Sequence, residues 1–144
     1  MAQQRMKKLT VKEVEYIAFR LAREHLAFDE QIPDFTSRFP NILESCLLTP
    51  FQSLYGKSLY PSLSLRASML LYLMIKNHPF LNGNKRIALT TLLVFLWLNG
   101  KWIKVDSKKL HNFTVWVAQS PAELKDQVVP AIEQFVKSYW RDLR

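Results

Sequence analysis

Residues 63–100 read LSLRASMLLYLMIKNHPFLNGNKRIALTTLLVFLWLNG. Within them, MLLYLMI at 69–75 leaves no polar side on a helix, and a helix apolar all round is buried. That helix should end near His78, because the residue before Pro79 is pushed out of the helical region. A further helix is expected from about Asn84 to Leu98, apolar nearly all round, closed by Asn99-Gly100 as a C-terminal stop. Two buried helices in succession, with no strand alternation between them, predict an all-α fold with the second helix as its hub.

Outward from this pair, Thr10-Val11-Lys12-Glu13 forms a capping box, and Leu9 with Val14 supplies a hydrophobic staple. Val11, Val14, Ala18, Leu21 and Ala22 then recur at helical spacing over roughly 11–27. Residues 28–41, with Pro33 and Pro40, read as loop, and a short helix follows at about 41–48. Residues 49–61 (TPFQSLYGKSLYP) suit a flap or hairpin around a Gly-Lys turn. Lys101–Val105 reads as a brief extended piece, and Asp106 or Ser107 caps a helix reaching about Val117. Ser120–Glu123 reads as another capping box with Pro121 at the first helical position. Pro130 should break or kink the last helix, whose apolar face is Ile132, Phe135, Val136 and Tyr139.

The 144 residues carry 49% hydrophobic and 22% charged side chains, which fits one globular domain spanning 1–144 and argues against disorder. The lone Cys46 cannot form an internal disulfide, so a reducing, cytoplasmic setting is expected. The longest apolar run, Leu92–Leu98, is far short of the ~20 residues of a membrane span. Gly56, Gly83 and Gly100 are too far apart for a Walker A loop or a dinucleotide fingerprint. A net charge of +8 favours polyanionic partners such as nucleotide phosphates or an acidic protein. The cations are scattered, which disfavours nucleic acid.

The chemistry lies in the connector Asn77-His78-Pro79-Phe80-Leu81-Asn82-Gly83-Asn84-Lys85-Arg86, a polar break between two apolar helices. The helix starting near Asn84 offers free N–H groups and a dipole to an anion. Gly83 admits a close backbone approach, so that N–H groups around Gly83, Asn84 and Lys85 can form a nest for phosphate oxygens. Arg86 adds a planar fork and Lys85 a point charge. At the other end, the His78 imidazole suits general-base work near neutral pH. Phe80 anchors the loop.

HPFLNGNKR (78–86) resembles the active-site motif of the Fic/Doc family, specifically its death-on-curing branch. Tyr60–Leu63 and Arg86–Gly100 extend the likeness over residues 10 to about 128. The resemblance implies a compact helical bundle around a buried central helix, with a flap at residues 50–60 that docks an extended target segment. It implies transfer of part of ATP to a protein hydroxyl, with His78 as base and Arg86 on the transferred or adjacent phosphate. Phe80, Gly83, Asn84, Lys85 and Arg86 make up the implied cofactor-binding loop. In the death-on-curing branch the γ-phosphoryl moves to a Ser or Thr of elongation factor Tu, inhibiting translation. The alternatives are AMP transfer and a degenerate protein that binds nucleotide or antitoxin without transfer. The branch also implies a toxin–antitoxin system with a prevents-host-death type antitoxin, whose tail folds onto the toxin.

Asn82 departs from the family pattern, which has Asp or Glu there to ligate Mg²⁺. Unit charges ~4 Å apart interact by ~4 kcal/mol at an effective dielectric of ~20, so an amide at this position should cost several kcal/mol of metal affinity, partly recovered from the nucleotide's own phosphates. His25 and His111 stand apart from any acid or cysteine cluster and read as structural. The four tryptophans read as core or interface aromatics.

Overall fold

The structure, a computed structural model, describes residues 6–25 and 31–143. The first helical run begins at Thr10, where both halves of the capping box form. The Thr10 hydroxyl accepts from the Glu13 N–H at 3.1 Å, and the Glu13 carboxylate accepts from the Thr10 N–H at 2.9 Å. The run comprises α1 (Val11–Glu13), a π-helical turn (Val14–Ala18) and α2 (Phe19–His25). Its last two expected residues lie outside the described residues. The wide turn is a departure from the regular periodicity, and it sets Val14, Ala18, Phe19 and Ala22 on one buried face with Tyr16 turned outward.

The stretch read as loop contains a 3-10 turn (Phe35–Ser37), and α3 starts at Pro40 and ends at Leu48. A proline fits that first-turn position because the N–H it lacks would have no helical partner. A second 3-10 turn (Thr49–Phe51) leads into the expected hairpin, β1 (Ser53–Leu54) and β2 (Lys57–Ser58). The strands pair antiparallel, Ser53 opposite Ser58. Tyr55 and Gly56 both take positive φ in the two-residue turn, so the turn lies one residue before the expected Gly-Lys.

The buried pair is α4 (Leu63–Lys76) and α5 (Asn84–Leu98). Ala67–Ile75 are buried without interruption, as are Arg86–Leu92. Thr90 and Thr91 tolerate this because their hydroxyls donate back to the Ile87 carbonyl at 3.1 and 2.6 Å. Phe51 joins the two helices at one end. Its ring meets Phe95 of α5 at 5.9 Å, and the Arg66 guanidinium of α4 lies over it at 4.7 Å. The early part of α4 therefore faces the late part of α5, and the Asn77–Gly83 connector closes the opposite end.

Around this axis lie α6 (Ser107–Gln119) and α7 (Lys125–Tyr139). The expected capping box at Ser120 does not form. The Ser120 hydroxyl donates back to Val117 at 2.6 Å, and a 3-10 turn (Ala122–Leu124) precedes α7. Nor does Pro130 end the last helix. Pro130 is exposed, so the Asp126 carbonyl it leaves without a helical donor faces water, while Val128, Val129, Ile132 and Val136 hold the helix to the core. Two strands, β3 (Lys101–Ile103) and β4 (Trp140–Asp142), pair antiparallel, with a Lys101–Asp142 ion pair. Only the first of them was legible as extended.

Of the four tryptophans, Trp140 alone packs half-buried against the core. Trp97, Trp102 and Trp116 are exposed, the first two beside an apolar groove of about 240 Å³ with Ile17, Leu21 and Val94. Among the described residues, no helix is long and apolar enough to cross a membrane.

Candidate functional site

Asn77 ends α4, its N–H donating to Leu73 at 2.9 Å. His78 follows at φ +50°, in the left-handed region, with its side chain exposed. A non-glycine residue there costs roughly 1–2 kcal/mol, and such strain persists only where neighbours impose it. Three features impose it here. The Pro79 carbonyl accepts from the Phe39 N–H at 2.9 Å. Phe80, 1% exposed, meets Phe19 at 5.7 Å and Phe35 at 5.8 Å. The Asn84 side chain clasps the Phe80 backbone from both sides, accepting from its N–H at 3.0 Å and donating to its carbonyl at 2.9 Å.

That clasp links the two ends of the connector. Asn84 Nδ2 also lies 3.5 Å from His78 Nδ1, so one buried amide at the first position of α5 spaces the imidazole from the helix N-terminus. The Asn84 side chain is thus committed to the loop, and what it offers an anion is its backbone N–H. Phe80 serves as the anchor. Its ring is buried against Phe19 and Phe35, so it holds the loop in place from beneath.

Gly83 precedes α5 at φ +73°. A Cβ there would meet Ile32 Cδ1 at 2.6 Å and the Gln31 carbonyl at 3.1 Å. The close approach that glycine permits on this side is therefore to the chain's own Gln31–Ile32. Arg86 is only 9% exposed, and its Nη2 donates to the Ala22 carbonyl of α2. One arm of the expected fork is thus used in holding α5 to α2. Lys85 is half-buried on the first turn. The helix dipole and the side chains of Lys85 and Arg86 all bring positive charge to this end.

The other wall of the site was not legible in the sequence. Residues 31–39 run antiparallel to the connector: Ile32 beside Gly83, Phe35 against Phe80, Phe39 bonded to Pro79. The signal available was Phe35 and Phe39, two aromatics in a stretch otherwise read as polar loop. Beyond Phe39, a cleft of about 360 Å³ opens between α3 and the connector, lined by Asn41, Ile42, Ser45 and Asn77. Cys46 lies buried on α3, its thiol pushed up from 9.0 to about 11 by burial, against a smaller opposing hydrogen bond from Asn77.

The hairpin forms where a flap was expected, but its return strand is tied to the start of α4. Arg66 donates to the Tyr60 carbonyl at 2.7 Å and to the Ser58 hydroxyl at 3.1 Å. Arg66 and Lys76 are separated by about 15 Å of helix, and His78 lies beyond Lys76. Asn82 is exposed on the connector and offers one neutral oxygen. Among the described residues, no three His, Cys, Asp or Glu side chains gather as metal ligands. Among the described residues this donor set does not by itself hold Mg²⁺, which is ordinarily bound by carboxylates together with substrate phosphates. His111 lies on α6, and the side chain of His25 lies outside the described residues.

The model of the Fic/DOC family matches residues 8–96, more than half of the chain and the whole span from the first capping box through most of α5. The expected likeness out to about residue 128 is longer than this match, which leaves α6 and α7 outside. A protein named Toxin Doc from Mycolicibacterium smegmatis (strain ATCC 700084 / mc(2)155) is 34% identical over 65 residues, covering 45% of this chain and 50% of that protein. The match thus spans half of that relative's length. No solved structure matches the chain.

Proposed function

The chain belongs to the Fic/DOC family, and on that premise we propose that it moves the γ-phosphoryl group of ATP onto a Ser or Thr hydroxyl of a target protein. The observation that carries this reading is the exposed, left-handed His78, spaced by the Asn84 amide from the N-terminus of a buried helix. His78 takes the proton of the acceptor hydroxyl. The acceptor oxygen bonds to Pγ as the bond from Pγ to the ADP oxygen breaks, and ADP leaves with that electron pair. Backbone N–H groups at Gly83, Asn84 and Lys85 bind phosphate oxygens, while Lys85 and Arg86 supply positive charge to that end of the site. Were Mg²⁺ bound together with the nucleotide, the Asn82 side-chain oxygen would be the connector's contribution to holding it, and the ion would supply neutralisation of phosphate charge.

The likeness to a protein named a toxin supports a cytoplasmic toxin restrained by a separate antitoxin, and the net charge of +8 suits an acidic antitoxin tail. Elongation factor Tu is the target to test first. Wild type, His78→Ala and Asn82→Asp are incubated with elongation factor Tu and ATP labelled at either the α or the γ position, followed by intact-protein mass spectrometry. The expected result is one added phosphoryl with wild type, none with His78→Ala, and more at limiting Mg²⁺ with Asn82→Asp. An added nucleotide instead of a phosphoryl establishes AMP transfer. Wild type as inert as His78→Ala, with Asn82→Asp gaining transfer, establishes the degenerate binding protein.

A further inference from the structure

Resting on the transferase reading, we infer that the cleft between α3 and Asn77 seats the acceptor, as an uncharged polar stretch of target chain flanking the hydroxyl to be modified. The order of groups along the connector carries this. The phosphate-binding end lies at Gly83–Arg86, the imidazole at His78, and the cleft begins at Asn77, the next residue beyond. His78 Nδ1 lies on the Asn84 side, toward the start of α5. In phosphoryl transfer the attacking and leaving oxygens lie roughly in line across phosphorus. A donor held at the Gly83 end therefore takes its acceptor from the Asn77 end. The acceptor hydroxyl gives its proton to His78 and forms the new O–P bond, while ADP leaves on the Gly83 side.

The lining specifies the chemistry. Asn41 and Ser45 are exposed and each presents both a donor and an acceptor, the complement of peptide N–H and C=O groups, while exposed Asn77 adds the part of its amide that its hydrogen bond to Cys46 leaves. Ile42 adds one apolar contact, and among the described residues no ionisable side chain lines the cleft. A charged flanking residue entering it would lose water without gaining a partner. About 360 Å³ lies within the size range of functional clefts. The hairpin, in contrast, is tied to the far end of α4.

The test is an array of Ser- and Thr-centred peptides with neutral-polar, acidic or basic flanks, labelled from ATP by wild type, Asn41→Asp, Ser45→Asp and His78→Ala. Asn41 lies in the first turn of α3, where a carboxylate suits the helix dipole, so that variant keeps the fold. Wild type should label neutral-flanked peptides best. Asn41→Asp and Ser45→Asp should each raise the relative labelling of Lys-flanked peptides roughly fivefold, the worth of one ion pair near the surface, with the KM for ATP unchanged. An identical peptide ranking in wild type and both variants overturns the inference. So does an absence of labelled peptides from an enzyme that still hydrolyses ATP. Labelling that survives His78→Ala instead overturns His78 as the base on which the proposed mechanism rests.

Discussion

Gly83→Ala probes the junction on which the site is built. Two costs act on the variant. The backbone at φ +73° is one that a Cβ penalises by roughly 1–2 kcal/mol. The smaller conformational freedom of alanine in the unfolded chain returns about 0.4–1 kcal/mol of this. The new methyl also falls 2.6 Å from Ile32 Cδ1 and 3.1 Å from the Gln31 carbonyl. Cδ1 is the end of a side chain and can turn away, whereas the carbonyl belongs to backbone and must be displaced. Overpacking of this kind costs about 1–3 kcal/mol, so the variant should lose roughly 2–4 kcal/mol in total. The two costs separate in a double-mutant cycle with Ile32→Ala, which removes Cδ1 but leaves the backbone strain and the Gln31 contact. Urea unfolding of the four proteins should give a favourable coupling of about 1–2 kcal/mol. Additive effects would show that Ile32 does not cover Gly83. A Gly83→Ala cost below about 0.5 kcal/mol would refute the left-handed conformation as well.

Other perturbations address the same loop and its surroundings. His78→Gly should be more stable than His78→Ala by about 1 kcal/mol, because only glycine escapes the left-handed penalty. Thermal melts giving alanine equal or greater stability would contradict that conformation. Asn84→Ala removes both hydrogen bonds to the buried Phe80 backbone and should cost about 2–4 kcal/mol. At roughly 3 °C per kcal/mol this lowers Tm by about 6–12 °C, and a loss under 3 °C would mean that the clasp is dispensable. Cys46 ionises at about 11 when folded and near 9.0 when unfolded, so the unfolded chain releases a proton first. Stability should therefore decline as pH rises from about 9 to 11, less steeply in Cys46→Ala, and a disulfide reagent at pH 8 should react with the thiol only after urea is added. Rapid reaction of the native protein would contradict its burial.

The two central helices were legible because their information is local and repeated. Residues 69–75 and 87–96 are apolar at nearly every position, and only a buried helix satisfies both that composition and its backbone hydrogen bonds. The Thr10 cap and the Asn99-Gly100 stop were legible for the same reason, since each motif acts within one turn. Pro130 misled because the sequence does not say which side of a helix faces water, and an exposed carbonyl can lose its helical donor cheaply. β4 was hidden because a three-residue strand has meaning only through its partner, Lys101–Ile103, at the far end of α6 and α7.

The connector divides in the same way. Residue types alone identified His78, Gly83 and Arg86 and placed them between two helices, since chemistry is written in side chains and spacing. Which atoms those residues spend on holding the fold was decided by tertiary contacts from outside the connector and by the clasp across it. Ala22 takes one arm of Arg86, Gln31–Ile32 fill the space beside Gly83, and Asn84 grips Phe80. The second wall and the cleft at Asn77 come from residues 31–45, brought alongside by packing between segments some forty residues apart in the chain. A sequence carries its periodicities openly; which distant segments meet follows from which apolar faces can be buried together, and that is settled only when the chain closes on itself.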